Sequence, residues 1–145
     1  SMKSLAVAVL VLMIAGGLPG ADGRAQTAAL DAADRAAIKR VIDDRIAAFR
    51  RDDGAAAFAL ASPGIQATFG TPEAFMGMVR QGYQPVYRPR QVRFGEVIMR
   101  DWGPEQRVFV VGPDGHPYIA VYPMERQADG KWKTNGCSLE RPKSA

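Results

Sequence analysis

Residues 91–140, QVRFGEVIMRDWGPEQRVFVVGPDGHPYIAVYPMERQADGKWKTNGCSLE, decide the fold. Apolar and β-branched residues gather in four runs, near 91–100, 106–111, 117–127 and 131–140. Turn residues separate these runs at Gly103-Pro104, Pro113-Asp114-Gly115 and Asp129-Gly130. Such a pattern predicts an antiparallel meander of about four strands. Asn135-Gly136 lies too close to the end of the last run for another hairpin and reads as a bulge.

Upstream, the pattern switches from strand to helix. Ile38, Val41, Ile42, Ile46 and Phe49 recur at three-to-four-residue spacing, which predicts a helix with one apolar stripe, capped by Asp31. Lys39/Asp43 and Arg40/Asp44 are i,i+4 pairs on its solvent side, worth a few tenths of a kcal/mol each. Asp52-Asp53-Gly54 ends it and opens a short second helix over 55–61, which Ser62-Pro63-Gly64 is expected to stop. Thr71-Pro72-Glu73 starts a third, with a hydroxyl cap, proline in the first turn and an acid behind it; Gly82 supplies the stop. The two prolines of Tyr83-Gln-Pro-Val-Tyr-Arg-Pro89 predict an extended crossing into the sheet. Three N-terminal helices followed by strands indicate an α+β domain, because a parallel sheet would interleave the two.

The amino terminus has the layout of a secretory signal peptide. Met2-Lys3-Ser4 precedes an apolar run over 5–15, and Gly16, Gly17, Pro19 and Gly20 break it well short of a membrane-spanning length. Small residues at Gly23 and Ala25 place the expected cut before Gln26, with Ala21 and Gly23 as a second candidate pair; Ser1 reads as an appended residue ahead of Met2. The expected organisation is a signal peptide over 1–25 and a single α+β domain over 26–145, periplasmic or secreted, with no transmembrane anchor. The domain keeps a net charge of +3. That small excess reads as solubility, and export with no nucleic-acid-binding motif argues against nucleic acid as a partner.

Cys137 is the only cysteine, so an internal disulfide is excluded and the expected role is a buried free thiol in the last strand. Gly-x-Ser-x-Gly, phosphate-loop and dinucleotide motifs are missing, as is a histidine-cysteine metal cluster, so no catalytic residue, metal or cofactor is assigned. His116, the single histidine, is expected in a surface turn. Glu96 and Glu125 fall in predicted strands; alternation puts Glu96 with Val92, Phe94 and Ile98, and Glu125 with Ile119 and Val121. Five arginines (Arg80, Arg88, Arg90, Arg93, Arg100) lie within 80–100 against Glu96 alone. Arginine forks onto carboxylate or phosphate and tyrosine flanks a ligand, so Tyr83, Tyr87, Arg88, Arg90 and Glu96 form the candidate ligand-binding set. The competing reading has both rings and Arg88 clamping the crossing from helix to sheet.

Phe58-Ala-Leu-Ala-Ser-Pro-Gly-Ile65, Phe69-Gly-Thr-Pro-Glu-Ala-Phe75, Gly82-Tyr83-Gln-Pro-Val-Tyr-Arg-Pro89 and Gly136-Cys-Ser-Leu139 resemble a proteobacterial family, domain-of-unknown-function family 4864. The order of elements is similar to the nuclear-transport-factor-two-like, or cystatin-like, superfamily. This resemblance implies a curved sheet wrapped around a long helix, forming a cone whose mouth often holds a ligand; it carries over no catalytic residue. The expected function is non-catalytic binding of a small ligand, an anion among the options, or of a periplasmic protein. An acid/base enzyme and a structural homodimer are the alternatives.

Overall fold

The structure, a computed structural model, describes residues 30–143, so the expected signal peptide and its cleavage site lie outside the described residues. Helix α1 (Ala32–Arg50) is capped by Asp31, whose carboxylate accepts from the Asp34 amide at 2.7 Å. Its apolar stripe buries Ile38, Ile42 and Ile46 against the sheet, together with Val108, Val110, Ala120 and Tyr122. Asp52, at φ +56°, turns the chain sharply out of the helix. Among the described residues no helix is long and apolar enough to cross a membrane.

Helix α2 (Gly54–Ala59), α3 (Pro63–Phe69), α4 (Pro72–Gly82) and the short α5 (Gln84–Tyr87) follow. Two of these correct the sequence reading. Ser62-Pro63-Gly64 does stop α2, but the same residues start α3: the Ser62 hydroxyl accepts from the Ile65 amide at 3.3 Å, and Pro63 occupies the first turn, where its missing N–H costs nothing. The crossing after Tyr83 is likewise not extended throughout. Pro85 sits in the first turn of α5, and Arg88, ahead of Pro89, leaves the helical region at φ −137°.

The sheet is a single antiparallel meander, β1 (Gln91–Arg100), β2 (Gly103–Val111), β3 (Pro117–Arg126), then β4 (Trp132–Thr134) and β5 (Ser138–Glu140), both paired to β3. It is curved and open, in keeping with a cone-like α+β fold. β2 begins earlier than expected, since Gly103 already pairs with Arg100 and the turn is made by Asp101-Trp102. The last predicted strand splits in two around Asn135-Gly136, where one extra residue opposes β3 and Gly136 takes φ +109°. A second bulge lies in β1 between Phe94 and Val97. It breaks the alternation that had grouped Glu96 with Phe94 and Ile98, and Gln106 Nε2 closes it by donating to the Gly95 and Arg107 carbonyls at 3.1 and 2.8 Å.

The β4–β5 break is tied to the helical layer. Thr134, the last residue of β4 and in register with Met124, also bridges to the chain entering α3: its amide donates to Leu60 O at 3.0 Å and its carbonyl accepts from the Ser62 amide at 2.8 Å. Ser62, fully buried, also donates its hydroxyl to Asn135 at 2.7 Å. Ser62→Ala removes both this bond and the cap of α3, so it is expected to lower stability by about 1–2 kcal/mol. Urea denaturation checks this; an unchanged midpoint would show that the junction is not held by Ser62.

Candidate functional site

Two apolar clusters build the interior. One joins α1 to the sheet; the other gathers Phe49, Ala57, Phe75, Met76 and Val79 among the helices. Between them lies a cavity of about 230 Å³. Ile65 and Phe69 of α3, Phe75, Met78 and Val79 of α4, Tyr83, and Gly136-Cys137 from the β4–β5 break form its walls. Arg45 of α1 also lines it and is 4% exposed.

Arg45 is the unusual element. Arginine stays protonated in proteins, so a full positive charge sits where burial normally demands a counterion. No carboxylate pairs with it among the described residues. Its Nη1 donates to Thr134 Oγ1 at 2.9 Å, and its guanidinium carbon lies 5.1, 5.7 and 5.5 Å from the ring centres of Phe49, Phe75 and Tyr122. Those rings supply cation–π attraction. Among the described residues Arg45 Nε has no hydrogen-bond partner. Cys137 is partly exposed as a residue, yet burial pushes its thiol up to about 11, against a downward pull from Arg45. The thiol therefore stays neutral around pH 7 and leaves the Arg45 charge uncancelled. Burial also raises Tyr122.

The residues singled out in the sequence are placed apart. Tyr83 stands in the cavity wall. Tyr87 and Arg88 instead form a clamp around Asp52. The Tyr87 hydroxyl donates to Asp52, Arg88 Nη2 reaches the same carboxylate at 3.0 Å and Arg80 at 3.4 Å, while Arg88 Nη1 donates to Phe49 O. The guanidinium of Arg88 also lies 4.0 Å from the Tyr87 ring centre. The Tyr87 hydrogen bond, with the Arg88 and Arg80 charges, holds Asp52 below the usual carboxylate range. This is the clamping alternative, joining the end of α1 to α4 and α5. Arg90 donates to Pro113 O at 2.6 Å across a sheet turn, and Glu96 is exposed in the β1 bulge. Glu125 lies on the sheet face opposite Tyr122 and Met124, away from α1, and His116 is exposed in its turn. Cys137 lies in the break between β4 and β5, not within a strand. Sequence reasoning missed Arg45, and its signal was the helical period: it follows Ile42 by three residues and precedes Phe49 by four, inside the apolar stripe.

Two outcomes follow from these environments. Arg88→Ala should lower stability by about 1 kcal/mol, because it removes one hydrogen bond to Phe49 O, which keeps its backbone donor Asp52, and one to the Asp52 carboxylate, with the exposed part of the ion pair adding little. A melting temperature equal to that of the wild type would contradict the clamp. For Cys137, the folded pKa is raised from 9.0 to about 11. The unfolded thiol therefore loses its proton first, and its contribution to stability is full below pH 9 and lost between about pH 9 and 11. Tyr122 adds a loss of the same sign above its ordinary pKa of 10.0. Cys137→Ala should thus flatten the decline between pH 9 and 10, read by urea midpoints; an identical slope would place the thiol in water.

The family model for a domain of unknown function (DUF4864) matches residues 31–145, which takes in α1, the cavity walls and the whole sheet. Nothing among curated proteins or solved structures matches the chain. With the match spanning the entire folded domain, the chain belongs to the DUF4864 family.

Proposed function

We propose that this domain is a small-molecule binding protein whose cavity takes an organic anion, with Arg45 as the receptor for its charge. The observation that carries the reading is a guanidinium 4% exposed, without a carboxylate partner among the described residues, lining an otherwise apolar cavity. A protein gains little stability from such a group, since an unpaired buried charge costs several kcal/mol. A ligand that supplies the missing charge recovers that cost on binding. Glu96 and Glu125, the carboxylates considered for acid/base chemistry, lie away from the cavity, which favours binding over catalysis. The signal-like amino terminus supports an exported location. The helix-then-sheet order supports a place for the family within the nuclear-transport-factor-two-like superfamily.

The test separates a functional charge from a structural one. Arg45→Met keeps an unbranched apolar stem and removes the guanidinium with its charge. Thr134 is not orphaned, because its hydroxyl also donates to Leu60 O at 3.3 Å. The variant should melt at the same temperature as the wild type or higher, as when buried ion groups are replaced by apolar ones. Native mass spectrometry of protein isolated without refolding should then find a small acidic molecule on the wild type and not on Arg45→Met. Loss of several degrees in melting temperature, or an adduct kept equally by both proteins, would overturn the reading.

A further inference from the structure

We infer that the anion taken by this cavity is the monocarboxylate of a compact apolar acid, not a phosphate, sulfate or dicarboxylate; this rests on the Arg45 reading above. Charge count is the first argument. The cavity offers one cation, and in a poorly solvated setting one guanidinium neutralises one negative charge, so a dianion would leave a buried charge unbalanced. The lining adds no second Lys or Arg.

Donor geometry points the same way. Arg45 Nη1 is committed to Thr134, and Nη2 makes no hydrogen bond among the described residues; Nε is buried and likewise has no partner among them. Nε and Nη2 form one planar edge of the guanidinium with two parallel N–H bonds. That edge matches the two oxygens of a carboxylate. Phosphate has further oxygens that need donors, and the remaining wall is largely Ile65, Phe69, Phe75, Met78 and Val79, which have none to give. The same wall selects the body of the ligand. Aliphatic and aromatic side chains line it, with Phe69 and Phe75 meeting edge to face at 5.8 Å between ring centres. A volume of about 230 Å³ lies below the roughly 300–1,000 Å³ of drug-sized sites, so the body is small.

Isothermal titration calorimetry of the full chain at pH 8 with phenylacetate, phenyl phosphate and 2-phenylethanol tests this. The three share an apolar ring and differ in carrying a monoanion, a dianion and no charge. Phenylacetate should bind at least tenfold more tightly than either of the others. Arg45→Met should lose that advantage, while Arg45→Lys, which keeps the charge without the planar fork, should retain part of it. Phenyl phosphate binding as tightly as phenylacetate, or more so, would overturn the carboxylate assignment and leave Arg45 standing as an anion receptor. Equal binding of 2-phenylethanol, phenylacetate affinity unchanged in Arg45→Met, or no binding of any of the three would overturn both.

Discussion

The structure is organised around one buried positive charge. Arg45 sits where the α1–sheet cluster meets the all-helical cluster, and its guanidinium touches rings from both: Tyr122 on one side, Phe49 and Phe75 on the other. Hydrocarbon could have closed this seam more cheaply, since burying an unpaired guanidinium opposes folding. Three aromatic faces and one threonine hydroxyl soften that opposition without neutralising the charge. The cavity lies beside this charge, and elements from both layers of the fold line it.

Two departures from regular structure bring parts of that lining into place. At Asn135-Gly136 the last strand leaves β3, carrying Gly136 and Cys137 into the cavity wall instead of into a continuous ladder. At Ser62 the chain restarts as α3, which brings Ile65 and Phe69 to the opposite side. The two meet where the Ser62 amide donates to Thr134 O and the Ser62 hydroxyl to Asn135, and Thr134 is also the residue that receives Arg45. Helix geometry, sheet register and the position of the charge are thereby coupled through a few buried polar atoms. The Asp52 clamp acts at the other end of the same unit, fixing the exit of α1 against α4 and α5.

Periodicity made most of the fold legible in the sequence. The stripe of α1, the Thr71-Pro72-Glu73 start of α4 and the turn-separated strands all rest on local patterns that the structure obeys. What escaped was punctuation with two meanings. Ser62-Pro63-Gly64 carries the chemistry of a helix end and of a helix start, and nothing local says that both are used. In the crossing, Tyr83 and Tyr87 are four residues apart, but α5 turns between them and sends one ring to the cavity and the other to Asp52. Proximity in sequence therefore suggested a single site where the chain builds two separate environments. Arg45 was hidden for the opposite reason. A charged residue in a helix is ordinarily solvated, and only its place between Ile42 and Phe49 marked it as facing inward; that its counterion would be missing depends on side chains far away in sequence.

Proton–nitrogen NMR of the arginine Nε–Hε groups, with the Arg45 signal assigned from Arg45→Lys, tests the central claim most directly. In the free protein the Arg45 signal should fall at the position of an Nε–H without a hydrogen-bond acceptor. On titration with phenylacetate it should move downfield, while the signals of Arg80 and Arg88 in the clamp stay in place. An Arg45 signal already downfield in the free protein and insensitive to the acid would mean that the charge is satisfied from within the fold, and would contradict the account.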